Sequence, residues 1–358
     1  MKFSLAKTLA LTTALSAASI HADHASLPND HAPISIMGDH THAAGEWMLS
    51  YRYMFMDMDG IRSGDDAISI EDVFNLDGGY TVSPTNMEMD MHMFGMMYAP
   101  TDSLTLMVMA HYIETEMEHQ LFPGAPMMLT NVVGGDSFTT ESSGWGDLSL
   151  SALYEFHSTD HSSAHLGLGI SIPTGSIDEE DNTPRPGMPP SFPVQQLPAP
   201  MQLGSGTFDL LPSITYVHRF DMWKIGGQAR GVVRLEDEND NGYRLGHIFE
   251  AIGWAGYDFN ESVGLTLGLS FKDAGELKGL QNGVGRMGPN GRSVTTAFGE
   301  NYGGSRLDAI IGLNLYAREG VLADHRLAID VRLPIAQDLN GIQLETDLVA
   351  TVGWQKAW

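Results

Sequence analysis

The stretch Met87-Glu88-Met89-Asp90-Met91-His92-Met93-Phe94-Gly95-Met96-Met97-Tyr98, then Ala99-Pro100-Thr101-Asp102, then Ser103-Leu104-Thr105-Leu106-Met107-Val108-Met109-Ala110-His111-Tyr112, is written in steps of two. Side chains on a β-strand point alternately to opposite faces, so this period predicts two strands, and Ala-Pro-Thr-Asp predicts the tight turn of a hairpin. On the second strand Leu104, Leu106, Val108, Ala110 and Tyr112 share a face that suits hydrocarbon. Thr105, Met107, Met109 and His111 share the other, which is soft and partly polar.

The same grammar recurs on both sides. Trp47, Leu49, Tyr51, Tyr53 and Phe55 alternate with Met48, Ser50, Arg52, Met54, Met56 and Met58. Further on, Leu166, Leu168 and Ile170 alternate with His165, Gly167 and Gly169, and Leu327, Ile329, Val331 and Leu333 with Arg326, Asp330 and Arg332. The last run sets Leu348, Ala350, Val352 and Trp354 against Asp347 and Thr351. Two runs are less regular: 207–220 carries Pro212, which is disfavoured inside a sheet, and 243–257 allows either face outward, although Glu250 prefers a lumen.

The count is about twelve strands of roughly ten residues, the length that crosses a bilayer when tilted. Short connections (99–102, 157–163, 220–222, 258–262, 318–325) alternate with mostly long ones (57–86, 118–143, 174–205, 273–304), while 236–242 and 336–341 are shorter. This predicts an all-β, antiparallel up-and-down transmembrane barrel in a Gram-negative outer membrane, with short periplasmic turns, long outer loops and both termini in the periplasm. The Pro-rich loop 174–205 reads as an extended outer loop or an inward-folded constriction.

Residues 1–22 have a basic start, a short uncharged run and small residues near 18–22, the signature of a cleaved secretory signal. Residues 23–45 form a His-rich periplasmic arm, either a flexible tail or an interior plug, and 46–358 the barrel. Cys is absent, so an exported fold must rest on burial or a closed sheet. A net charge of −26, from 45 acidic and 19 basic side chains, argues against nucleic acid and anionic lipid surfaces as partners. The expected partners are outer-membrane lipid, a small-molecule or metal solute, and the barrel-assembly machinery during biogenesis.

Thirteen of the 21 Met lie between Glu46 and Gln120, and by the alternation only Met96 points outward away from a strand end. The predicted lumen lining is Met48, Arg52, Met54, Met56, Met93, Met97, Met107, Met109 and His111, and then Gln228, Arg230, Arg234, Glu250, Asp308, Asp330, Arg332 and Asp347. Thioethers prefer soft ions such as Cu(I), which makes Met54, Met56, Met58, Met89, Met91, Met93, Met107, Met109 and His111, with His40 and His42 of the arm, candidate metal ligands. The same residues equally describe a greasy lumen for apolar solutes, since Met fills irregular space well. Inward Arg and Asp in the second half serve as a selectivity wall or as ion-pair filling. No cofactor is required. A lipid-modifying enzyme needs a Ser beside a His at the outer rim; Ser171 and His165 stand six residues apart on one strand, and neither a nucleophile elbow nor a phosphate loop is present.

Several segments taken together (Gly38-Asp39-His40-Thr41-His42, Met56-Asp57-Met58-Asp59-Gly60, Met89-Asp90-Met91-His92-Met93, Met97-Tyr98-Ala99-Pro100-Thr101, Gly146-Asp147-Leu148, Ile172-Pro173-Thr174-Gly175-Ser176 and Gly353-Trp354-Gln355) resemble the exported transporters of the "MetA-pathway of phenol degradation" family. That resemblance implies an outer-membrane channel or transporter, with aromatic compounds as substrate by the family's name. Its Met/His-rich subgroup implies metal handling instead. Transport of a small solute is the leading expectation. A non-conducting barrel that sequesters copper is the alternative, and a lipid-modifying enzyme the third.

Overall fold

The computed structural model describes residue 28 and residues 31–358, apart from 77–78 and 186–188. The expected signal peptide, residues 1–22, and the start of the expected arm, with His24, lie outside the described residues.

Among the described residues, twelve long strands close into one barrel: β1 (Trp47–Asp59), β2 (Tyr80–Thr101), β3 (Leu104–Leu121), β4 (Leu148–Ser158), β5 (Ser162–Ile172), β6 (Asp209–Arg219), β7 (Trp223–Arg234), β8 (Ile248–Asn260), β9 (Val263–Ala274), β10 (Gly304–Ala317), β11 (His325–Leu344) and β12 (Leu348–Ala357). Each pairs antiparallel with its neighbour in sequence, and β12 returns to β1 from Met48↔Ala357 to Asp57↔Leu348. Trp47 and Trp358 finish the seam by exchanging two backbone hydrogen bonds of 2.9 Å. Closure matters because an open edge would leave N–H and C=O groups unsatisfied in hydrocarbon.

The outward faces are apolar, with Leu168 58%, Leu267 51%, Leu269 53% and Ile311 51% exposed, as expected of groups whose solvent is lipid. At the end carrying the chain terminus and the short turns, Trp47 stacks near Tyr98 and Trp223 near Tyr257, with ring centroids 4.3 and 4.7 Å apart. These pairs form one interfacial girdle. On β1 to β3 the belt ends early: Asp57, Glu88, Glu116 and Glu141 are successive register neighbours on outward positions. Four carboxylates in a row cannot sit in hydrocarbon, so this wall projects beyond the membrane on the outer side.

Three local expectations change. Residues 336–341 are not a connection: β11 runs unbroken to Leu344, with Gly341 at φ +58, where a Cβ would meet Asn301 Oδ1 at 2.2 Å. Residues 118–143 are not all loop, because Ser137–Trp145 forms an extra strand that extends the barrel wall against β3. Tyr243 and Arg244 belong to a small outer-loop pair with Lys278 and Gly279 rather than to β8. Pro212 does lie within β6; the ladder to β7 skips Leu211 and Pro212. An amide donor is therefore not required there on that side.

Candidate functional site

The described part of the arm, residues 31–45, is not a free periplasmic arm. It packs inside the barrel at the end of the short turns, with Ala32, Ile34 and Ile36 each 1% exposed. An intraluminal hairpin needs its backbone polar groups answered, and the wall answers them. Ser35 N donates to Asp330 Oδ2 at 2.8 Å, and Arg332 Nε to Ser35 Oγ at 3.0 Å. Arg326 Nη2 donates to the Ala32 carbonyl at 2.8 Å, and Gln228 Nε2 to the Met37 carbonyl at 3.0 Å. His42 N donates to Thr105 Oγ1 at 3.0 Å. Ile36 and Ala32 join Val217, Ile252, Trp254 and Ile310 in one buried cluster. This explains the ambiguous pattern of β8: Ile252 and Trp254 face the lumen with Glu250 because they meet an apolar plug rather than water.

The lumen has two unlike walls. On β1, β2 and β3 the inward positions pair in register as Met58–Met87–Met117, Met56–Met89–Thr115, Met54–Met91–Ile113, Arg52–Met93–His111, Ser50–Gly95–Met109 and Met48–Met97–Met107. Thioethers thus run the height of one wall, while Met96 is outward and 39% exposed. At the outer end Met87 and Met117 pack with Leu197 and Met201 of the Pro-rich loop, which folds inward. An apolar cavity of about 320 Å³ opens beside them, lined by Met58, Met87, Met117, Pro200, Tyr302 and Leu344 among others.

The opposite wall is charged and largely self-satisfied. Glu250 accepts from Arg230 Nε at 2.7 Å, Arg332 Nη1 at 2.8 Å and Ser270 Oγ at 2.7 Å. Arg306 Nε pairs with Asp308 Oδ1 at 2.9 Å, and Arg234 with Asp209. These arginines are paired with the wall's own carboxylates, and Arg332 also with the plug, which is ion-pair filling rather than a row of free charges. Asp347 departs from the expectation: it lies exposed in the turn between β11 and β12, its amide bonded to the Asp57 carbonyl, and does not line the lumen.

The candidate metal ligands do not form one set. His40 and His42 line a cavity of about 350 Å³ at the periplasmic end, and of the methionines only Met48 reaches it. His40 meets His31 and Asp39 instead. The meeting of His31 with His40 is not legible in the sequence, because nine residues separate them and only folding back of the segment brings them together; Ile34-Ser35-Ile36 followed by Gly38 is the local sign of that fold. Ser171 and His165 are not brought together, since His165 Nε2 bonds the Gly38 carbonyl at 2.8 Å. Asp147 was also missed. Its carboxylate accepts from Gly175 N and from Ser205 N, both at 2.9 Å, and so clamps both ends of the Pro-rich loop.

The family model described as "Putative MetA-pathway of phenol degradation" matches residues 75–317, from just before β2 through β10. The chain belongs to this family. The fold of this phenol-degradation family member is similar to that of the COG4313 outer membrane channel from Pseudomonas putida F1, with a TM-score of 0.58 at 14% identity, covering 91% of this chain and 100% of that one. Looser likeness extends to the P. putida toluene transporter TodX (TM-score 0.44, 10% identity, 88% and 90% covered) and to a Pseudomonas aeruginosa FadL homologue (0.38, 9%, 87% and 89%). No curated protein sequence matches. The closed barrel and its membership place the protein in the outer membrane.

Proposed function

We propose that this barrel is a channel for small apolar solutes of the aromatic class, which enter at the outer cavity and move along the methionine wall, with the plug restricting the periplasmic end. The observation that carries the reading is the continuity of that wall: inward thioethers occupy β1, β2 and β3 from Met58–Met87–Met117 to Met48–Met97–Met107. A wall with at least one thioether in every register row offers an apolar molecule soft contacts along its height without a deep trap. The outer cavity, about 320 Å³, suits a one- or two-ring compound, since roughly 150 Å³ accommodates benzene. The family's description and the channel fold of its structural relative point the same way.

Uptake of radiolabelled phenol or toluene at micromolar concentration, in cells with and without the protein, tests this. The triple change of Met54, Met56 and Met91 to Leu keeps volume and greasiness and is expected to retain uptake. The same three changed to Gln are expected to lower it several-fold. Equal uptake with and without the protein overturns the reading.

A second reading is favoured by one detail, the register pairing of Met93 with His111 between Met91 and Met109, a thioether and imidazole set suited to Cu(I). In that reading changing Met91, Met93 and Met109 together to Leu abolishes copper binding, and the barrel sequesters or passes copper.

A further inference from the structure

The plug itself gathers three donors that neither wall supplies. His31 Nδ1 lies 3.3 Å from His40 Nδ1, and His40 Nδ1 2.8 Å from Asp39 Oδ1. His31 Nδ1 is 3.8 Å from Asp39 Oδ2, and the His31, His40 and Asp39 side chains are only 7%, 14% and 4% exposed. Hydrogen bonding alone leaves this group unsatisfied. His40 Nδ1 has one proton or one lone pair for two partners, and its Nε2 is buried without any partner. In either tautomer Nε2 stays buried and unanswered, while Nδ1 can serve only one of its two close partners, His31 or Asp39.

A cation among the three accepts a lone pair from each. A four-coordinate ion with bonds of about 2.1 Å sets its donors about 3.4 Å apart, and one ligand atom from each of His31, Asp39 and His40 lies within 4.8 Å of the others, so small side-chain movements close the set on an ion. His42 stands next in line: its ring centroid is 4.8 Å from that of His40, and its Nε2 is also buried and unpartnered. The cavity of about 350 Å³ at the periplasmic end reaches all of these residues and provides the path of entry. Arg326 and Lys224 line the same cavity, which disfavours hard ions held by charge alone and favours ions that bond imidazole strongly.

We propose that His31, Asp39 and His40 form a binding site for one divalent transition ion, Zn2+ or Cu2+, that ties the two ends of the plug hairpin together inside the barrel. The site is independent of the solute the channel carries.

The test uses the tag-free, full mature protein purified from outer membranes, stripped with chelator and titrated with Zn2+ by calorimetry. One Zn2+ per barrel is expected, with affinity falling about 100-fold in H31Q/H40Q and unchanged in M93L/M109L. Wild-type protein loaded with one equivalent of Cu2+ is expected to show superhyperfine coupling to at least two imidazole nitrogens by electron paramagnetic resonance, a readout that needs no variant. Failure of the wild type to bind Zn2+ stoichiometrically, unaltered affinity in H31Q/H40Q, or a copper signal without nitrogen coupling each overturns the proposal.

Discussion

Ser35 on the plug and Asp330 on β11 are joined by a hydrogen bond of 2.8 Å from the Ser35 amide to Oδ2. They are 295 residues apart in sequence, and the contact couples the lumen's contents to its wall. Asp330→Ala removes the acceptor from a part-buried amide, at a cost of about 1–3 kcal/mol to the docked plug. The backbone ladder of the barrel is untouched. Since 1.4 kcal/mol is about tenfold in a population, openings in planar bilayers are expected to become roughly tenfold more frequent. Unchanged conductance would show that Arg326 and Gln228 hold the plug without Asp330.

Ile36 is the plug's apolar anchor against Ile252, Trp254 and Ile310. A carboxylate there has no partner, and the folded plug would have to bury it or leave. The chain has no Cys, so Ala32→Cys introduces a single reporter at a position 1% exposed. A water-soluble maleimide is expected to label A32C slowly and A32C/I36D at least tenfold faster. Equal rates would mean that the plug is already mobile in the parent.

Asp147 restrains the Pro-rich loop through Gly175 N, Ser205 N and Ser205 Oγ, each at 2.9 Å. Hydrogen bonds to a charged group contribute about 1.5–3 kcal/mol each. Asp147→Ala is expected to let thermolysin cut within 174–205 at least tenfold faster in intact cells, while the barrel keeps its heat-modifiable mobility on gels. The loop backbone offers no slack, because a Cβ on Gly204 would meet the Gly175 carbonyl at 2.5 Å. Gly204→Ala should loosen the same loop.

Although Asp347 is exposed overall, loss of hydration where the turn packs comes first, and neighbouring Glu345, Asp57 and Asp59 second, in raising its carboxyl above the ordinary value. A raised carboxyl pKa means that the folded turn prefers the protonated form. The associated stability is present below the unfolded pKa, about 4, and is lost as pH rises through the folded value. Asp347→Asn should therefore unfold at a higher temperature than the parent at pH 7, and the difference should shrink toward zero near pH 3. A difference that grows on acidification would contradict this assignment.

The strands were legible because lipid outside and lumen inside impose a period of two that each strand carries by itself. Met54, Met91 and Met107 could be assigned inward from their immediate neighbours alone. Legibility failed where a side chain's environment is set by a distant segment. Ile252 and Trp254 look like lipid-facing residues until the plug is in place. Asp347 obeys the parity of β12 but stands one residue before the strand begins, so parity decides nothing. Residues 336–341 carry a Gly and an Asn and read as a turn, yet pairing with β10 and the outer-loop strand Ile61–Gly64 holds them extended.

By itself, then, the sequence determined the barrel, its strand number and the sidedness of its loops. Each follows from the local alternation of side chains between two solvents. Tertiary structure alone decided that residues 31–45 fold back into the lumen, that His40 meets His31 rather than the methionines, and that the charged wall is spent on ion pairs and on the plug. These depend on which donors and acceptors, up to 297 residues apart, satisfy one another in a space closed to water. No periodicity along the chain records that.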